Sequence, residues 1–433
     1  MNRARFLPAL LLTTAFLHAA EPQLRWWKGN LHTHTLWSDG DNYPEMVVDW
    51  YKEHGYHFLA LSDHNIMQVG PAWLYLTNGT LAQKALAPYR ERFGDGWVER
   101  AELRGQPVVR LKTLADFRPK FEEPGRFLLI PSEEITSRFE RHPIHLVGTN
   151  LREVIGAQHG TDVQMVIQRS VTAVLRQRAD TGQPMFPHVA HPNFGWGITA
   201  EDLMDVRGEK FFEVYNGHPH VQNEGDAQHP STERMWDIIL TQRLARLGQP
   251  VMYGLAVDDA HLYHLMANTN SNPGRGWVMV RSEKLSPEAL VWAMEQGDFY
   301  ATTGVRLSDV HWETNRLSLV IEPEPGVTYT TQFIGTRRGF DPSSKPVQTT
   351  NAEMLAITRT YSKDIGVVLA EAPGLTPGYQ AKKDDLYIRA KVISSKAKKN
   401  YVNPGELESA WVQPQVTLLG GRVNRAAAKT ARR

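Results

Sequence analysis

Lys28-Gly-Asn-Leu-His32-Thr-His34-Thr-Leu-Trp-Ser-Asp39-Gly40 is the stretch on which fold and chemistry turn. An apolar approach ends in His-Thr-His, and an acid follows just before a glycine. Residues two apart on a strand face the same way, so both imidazoles point to one side. Two rings aimed at one point, with a carboxylate in the next loop, suit a hard or borderline metal ion. An isolated His-x-His is more often a pair of half-buried or surface histidines. Here the pattern recurs along the chain.

Working outward, Trp26 to Leu31 reads as a first strand, and Pro44 opens a helix through His54 with Met46, Val47, Trp50 and Tyr51 at helical spacing. Phe58-Leu-Ala-Leu-Ser-Asp63-His64 is an apolar strand running into another acid and histidine. Residues 66–125 are polar, carry Gly and Pro breaks, and fit an insertion. Phe127-Leu-Leu-Ile-Pro-Ser-Glu133-Glu134 again ends in carboxylates. Ile144-His145 follows too closely for a parallel crossover, so that strand is expected to run antiparallel to its predecessor. Then come a helix from Asp162 to Asp180, a strand from Pro184 to His191, a strand from Phe211 to Asn216, a helix from Thr232 to Leu247, and a strand from Pro250 into Asp258-Asp259-Ala-His261. Seven strand candidates thus deliver polar side chains at one end, mostly with helices between. This is the logic of a β/α barrel, whose chemistry gathers at the C-terminal rim of its strands. A helix from Pro287 to Gln296 closes this part. Beyond about residue 306 short β-type runs take over, separated by Gly, Pro and Asp turns, which predicts a small all-β sheet or sandwich.

A chain of 433 residues suits two domains. Its 48 basic and 47 acidic residues balance, so no global field recruits nucleic acid or an anionic membrane. The absence of cysteine excludes disulfides, thiolate metal sites and cysteine nucleophiles, and leaves any metal to nitrogen and oxygen ligands. Residues 1–20 look like an export signal: Arg3 and Arg5, an apolar run from Phe6 to Leu17, then Ala19 and Ala20. That run is short of the ~20 apolar residues needed to span a bilayer. The expected layout is a signal at 1–20, an α/β barrel domain at 21–305, a β domain at 306–420 and a frayed basic tail at 421–433. The protein is expected to be exported, periplasmic or extracellular, with no stable membrane insertion.

Taken together, His32-x-His34, Asp39, Ser62-Asp63-His64, Glu134, His145, His191 and Asp259-x-His261 resemble the polymerase-and-histidinol-phosphatase (PHP) family of metallophosphoesterases, over roughly residues 26–305. The export signal, the Phe-Tyr-Ala-Thr-Thr-Gly304 segment and the β-rich tail with Ser409-Ala410-Trp411 look like that family's carbaryl-hydrolase-like branch. The resemblance implies a distorted seven-stranded β/α barrel holding two or three divalent ions, zinc, manganese or iron. It places His32, His34, Glu134 and Asp259 on one ion. It has Glu134 bridge to a second, shared with His145 and His261, and leaves Asp39, His64 and His191 for a third. Glu133 competes with Glu134 for the bridge; Glu134 is preferred because it directly precedes Ile135, as in the family pattern.

Two divalent ions roughly 3.5–4 Å apart can present a hydroxide and stabilise the oxygens of a phosphoryl group. Asp63 and Asp258 sit beside ligands, where they could orient an imidazole or accept a proton. Arg275 is the candidate clamp for a phosphate or carboxylate. Glu213 and Asn216 at a strand end could orient a ligand or the substrate, and His218 and His220 could line the mouth. His188 reads as packing. The leading expectation is a phosphoesterase acting on a small-molecule ester, with no nucleic-acid partner. A carboxylic or carbamate ester hydrolase with the same centre is the alternative, and a non-catalytic metal- or glycan-binding protein the third reading.

Overall fold

The computed structural model describes residues 23–347 and 358–417; the signal-like segment and the basic tail lie outside them. The chain begins with β1 (Arg25–Asn30), α1 (Pro44–Glu53) and β2 (Phe58–Leu61). Proline at the first turn of α1 costs no hydrogen bond there, which is why the helix starts where it does. The polar stretch that follows is not a loop. It contains β3 (Ala72–Tyr75), α2 (Leu81–Phe93), β4 (Arg100–Leu103), β5 (Gln106–Leu111) and α3 (Leu114–Phe121), with a three-stranded sheet ordered β3-β5-β4. Tyr89, Val109 and Leu111 pack this insertion against Leu36, Trp37 and Tyr43 of the segment that follows β1.

Next come β6 (Leu128–Phe139), β7 (His142–Thr149), α4 (Val163–Thr181), β8 (Phe186–Val189), α5 (Ala200–Met204), β9 (Phe211–Asn216), α6 (Thr232–Gln242) and β10 (Tyr253–Val257). Asp162 accepts from Met165 N–H to cap α4, and Gly182 ends that helix in the left-handed conformation. Every residue of β2, β8 and β9 is buried, as in strands covered on both faces. Helices α4 and α6 cover one side of β7–β10, and α1 and α3 cover β2 and β6. Leu31, Ala60, Ile130, Phe186, Phe211 and Leu255 fill the space beneath the strand ends. Each such side chain contributes roughly 1.5–3 kcal/mol.

These strands stand in the order β10-β9-β8-β7-β6-β2-β1. The pairs β1–β2, β2–β6, β8–β9 and β9–β10 are parallel; β7 is antiparallel to both β6 and β8, the first of these being the orientation its short connection predicts. The sheet is not closed into a barrel, contrary to the expectation from sequence. β1 gives its other edge to β11 (Trp277–Ser282), antiparallel, so among the described residues no ladder joins it to β10. The two ends of the run meet only past the strands. There Thr33 bridges Ala260, His34 N–H donates to Ala260 O at 2.9 Å, and Asp259 N–H donates to His32 O at 3.0 Å. The rim is drawn together while the sheet stays open.

Helix α7 (Pro287–Glu295) and β12 (Phe299–Thr302) lead into the β-rich part. Among the described residues it contains strands and no helix: β13 (Leu307–Glu313), β14 (Arg316–Ile321), β15 (Tyr329–Arg337), β16 (Ser344–Pro346), β17 (Arg359–Tyr361), β18 (Val367–Pro373), β19 (Gly378–Gln380), β20 (Asp385–Ala397) and β21 (Leu407–Val416). Its main sheet continues the first one through β12-β21-β20-β15-β18, and the β13-β14-β19 sheet packs on it through Leu317, Leu319, Phe333, Ile388 and Val412. Residue 305 is thus no boundary for hydrogen bonding: Tyr300 pairs with Val412. No described helix is long and apolar enough to cross a membrane.

Candidate metal centre

The ends of β1, β2, β8 and β10 and the middles of β6 and β7 converge on one cup. His32, His34 and Glu134 are fully buried in it, and Asp259 nearly so. Two of the turns that deliver these groups are strained. His191 has φ +23° and Asp259 +51°, conformations that side chains with a Cβ seldom adopt. Both are held by hydrogen bonds to other parts of the rim: His191 N–H donates to Glu213 Oε2 at 2.7 Å, and Asp259 N–H to His32 O. Gly40 supports the His34 loop by close approach, since a Cβ there would lie 2.7 Å from His34 O.

At the base, His32 Nε2 lies 3.4 Å from Glu134 Oε2 and 3.3 Å from Asp259 Oδ1; His34 Nε2 lies 3.3 and 3.2 Å from the same two oxygens. Edges of that length belong to a tetrahedron whose centre is about 2.0–2.1 Å from each corner, a zinc–nitrogen or zinc–oxygen bond length. His32 Nε2, His34 Nε2 and Glu134 Oε2 are also buried without a hydrogen-bond partner. Unpaired buried polar atoms are costly, and three aimed at one point are accounted for by a cation. Burial would raise the Glu134 carboxyl, but the charges of His64, His32 and His145 outweigh it and hold it well below the usual range. Asp259 is held down against burial by His32, His34 and His261. Burial, then the neighbouring His261, lowers His34 to about 3, leaving a neutral ring.

The remaining candidates join in three groups, of which one sets His191 with His32 and Asp259. His64 and His145 meet Glu134, with His64 Nδ1 2.8 Å from Oε2 and His145 Nδ1 2.8 Å from Oε1. His34, Asp39, His64 and His261 form another, with Asp39 3.5 Å from both His64 Nε2 and His261 Nε2. The structure therefore exchanges two of the expected assignments. His191 stands with Glu134, 3.1 Å from Oε1, and beside His145, because β7 and β8 are neighbours. His261 stacks on His34 with ring centroids 4.0 Å apart, because the end of β10 meets the end of β1. The donor set is nitrogen and oxygen throughout, and it suits zinc, manganese or iron.

The three residues expected to do chemistry do not line the cleft. Asp63 accepts from Thr35 N–H, Thr35 Oγ1, Ser38 Oγ and Gln68 Nε2, so it ties down the loop that carries His34. Asp258 accepts from Tyr51 OH and from the backbone N–H groups of Gly274, Arg275 and Gly276. The Arg275 guanidinium is spent on the carbonyls of Gly217, Ala267, Asn268 and Asn270 and on Asn400 Oδ1. Both Asp63 and Asp258 directly precede a ligand or a ligand's neighbour, and side-chain alternation turns them away. Glu133 is likewise turned out, accepting from Ile155 and Gly156 N–H.

Glu213 is the orienting group. Its Oε1 lies 2.7 Å from His32 Nδ1 and 3.1 Å from His188 Nε2, while Oε2 accepts from His191 N–H and Asn216 Nδ2. A carboxylate on the far nitrogen fixes the tautomer and aim of a ligand imidazole. His188, read from sequence as packing, is a fully buried member of this network. Asn216 also donates to Asp259 Oδ2 at 3.1 Å and accepts from His218 N–H at 2.8 Å. Thr136 Oγ1 and Ser38 Oγ, beside His64 and His34, were invisible in the sequence because nothing marks one hydroxyl from another.

A cleft of about 350 Å³ opens over the cup, walled by Phe194, His218, His220, Leu262 and Ser271; among the described residues no lysine or arginine lines it. His220 N–H donates to His218 Nδ1 at 3.2 Å, which leaves the His218 ring proton on Nε2. Burial lowers His218 to about 4, so that ring is neutral. A larger cavity of about 610 Å³, beside α7 and Trp292, contains none of these groups.

No family model matches the chain, and no curated protein matches it. Among solved structures, a two-domain protein of Bacteroides vulgatus containing a predicted PHP-like metal-dependent phosphoesterase is 14% identical, with 90% of this chain and 95% of that one covered and a TM-score of 0.38. A putative metal-dependent phosphoesterase of Bifidobacterium adolescentis is 14% identical over 54% of this chain and 87% of its own, with a TM-score of 0.26.

Proposed function

We propose that the protein is a metal-dependent hydrolase of a small-molecule ester, a phosphoric ester in the first instance. The observation that carries this is the base of the cup, where Nε2 of His32 and Nε2 of His34 lie buried without a hydrogen-bond partner, 3.3–3.4 Å from Glu134 Oε2. His32, His34, Glu134 and Asp259 would hold one divalent ion, and Asp39, His64, His145, His191 and His261 would complete sites beside it. Ions bound there supply Lewis acidity and bring water toward a pKa of about 7. The chain's own part is to keep Glu134 and Asp259 anionic, to aim His32 through Glu213, and to offer the Nε2–H of His218 to a substrate oxygen. Asn216 braces His218 against Asp259, so that donor is set before substrate arrives.

A carboxylic or carbamate ester is the second reading, favoured by the absence of lysine and arginine from the cleft wall. Protein purified without chelator is expected to hold one or more divalent ions per chain by elemental analysis. Chelation should abolish turnover, and a single divalent ion should restore it. Side-by-side assay of an aryl phosphate and an aryl carbamate then orders the two readings; metal-free protein with undiminished turnover would defeat both. We also propose that residues 1–20 direct export, which amino-terminal sequencing of the mature protein tests.

A further inference from the structure

We propose that the cleft continues into a second subsite along the β6–β7 hairpin, where Arg138 and Arg141 bind an anionic group of the substrate remote from the bond that is cut. The inference rests on the hydrolase reading for what occupies the cup, and on different residues for the subsite.

Glu134, Thr136 and Arg138 alternate along β6, so all three share the face that looks into the metal centre. On the facing strand Thr136 pairs with His145 and Arg138 with Pro143, and Arg141 lies two residues before Pro143. The metal-binding face of the hairpin therefore runs outward to two guanidinium groups. Thr136, Arg138, Glu140, Arg141, His145 and His159 line one cavity of about 560 Å³ there. His145 also walls the cleft over the cup, so the two spaces adjoin through a single side chain. At the rise of a strand, Arg138 Cα is about 13 Å from Glu134 Cα, which bounds the span of a ligand touching both ends.

Charge recognition is missing from the cleft and present in the subsite. Among the described residues neither Arg138 nor Arg141 has an ion pair or side-chain hydrogen bond, whereas Arg110, Arg178, Arg281 and Arg389 are all paired. Among the described residues Glu140 is the one acid on the subsite wall, which it shares with two arginines and a histidine. Two planar forks lining one cavity suit a carboxylate or a phosphate.

Isothermal titration calorimetry with non-hydrolysable alkyl phosphonates tests this. In metal-loaded protein, an alkane bisphosphonate or an ω-carboxyalkyl phosphonate of matching length is expected to bind roughly tenfold tighter than the alkyl monophosphonate. The better of the two second ends identifies the anion. In an Arg138→Gln/Arg141→Gln variant that advantage disappears, while metal content and monophosphonate affinity stay unchanged. Equal affinities in the parent protein, or an advantage surviving the double substitution, overturn the proposal. In chelated protein, inorganic phosphate should bind more weakly to the variant than to the parent. Protein that holds no metal even when purified without chelator, yet shows that difference, would defeat the hydrolase reading and leave the subsite standing; no difference there overturns the subsite.

Discussion

Two buried polar clusters in this molecule look alike in composition and differ in what their atoms point at. Between α6 and β20, Arg389 Nε and Nη2 reach Asp237 Oδ1 and Oδ2 at 2.8 and 2.7 Å, Tyr387 OH donates to Asp237 Oδ1 at 2.8 Å, and the guanidinium lies over Trp236. There the side chains close on one another, and the cluster joins the two halves of the chain. In the cup, charges are as deeply buried, yet Nε2 of His32, Nε2 of His34 and Oε2 of Glu134 converge without closing. The first network leaves a single guanidinium nitrogen, Arg389 Nη1, without a hydrogen bond and acts on stability; one whose unpartnered atoms converge on a common point is built for a guest.

The largest effect that separates the clusters concerns activity. Glu134→Gln is expected to lower turnover by roughly a thousandfold or more and to strip metal, since it removes a ligand shared by several groups, as ligand losses in metal catalysis do. Its thermal melting without metal should hold or rise. A collapse of the fold instead would show Glu134 to be structural and erase the distinction. Asp237→Ala should do the reverse. It leaves a buried guanidinium unpaired and costs about 3–5 kcal/mol in denaturant unfolding, with metal content of the folded protein unchanged. Between these falls Asn216→Ala, whose side chain touches Glu213, Asp259 and His218. It should weaken metal affinity about 10- to 100-fold, read by competition with a chromophoric chelator, with little change in unfolding.

Glu209 sharpens the comparison from the other side, with the smallest effect. It too buries an unpaired oxygen, Oε2, but it belongs to no potential metal cluster among the described residues. Burial raises its carboxyl to about 8, against the hydrogen bonds from Phe211 and Lys210 N–H and the charge of Arg243. A carboxyl raised in the folded state stabilises below its unfolded value, and that contribution is lost as pH rises through the folded value. Glu209→Gln should therefore leave the melting temperature almost unchanged near pH 5 and raise it progressively toward about pH 8. A pH-independent difference would show that the lone oxygen has a partner, and that unpaired atoms in this protein are not diagnostic singly.

Most candidate ligands were legible in the sequence because they sit where an apolar run stops, as at Leu61-Ser62-Asp63-His64; His145, inside β7, is the exception. The neighbours of ligands misled for the same reason. Asp63 and Asp258 share the strand end with a ligand, and adjacency in sequence means opposition in space. Arg275 looked like a clamp because an arginine's role depends on which carbonyls it finds, and those of residues 267–270 come from a loop with no pattern to announce it. The insertion at 66–125 was legible as an insertion, but not its internal sheet, because its short, exposed strands carry little apolar periodicity.

Alone, the order of residues determined which groups could meet a metal and that they would lie at strand ends, because side-chain period and strand length are local properties. The tertiary structure decided how they are shared out. Pairing of β1 with β11 kept the sheet open, and the Thr33–Ala260 bridge brought His261 to His34. The antiparallel β7 set His145 beside His191 and turned the hairpin arginines toward the same face. Such choices depend on which strand edges find each other across hundreds of residues, and no local pattern records them.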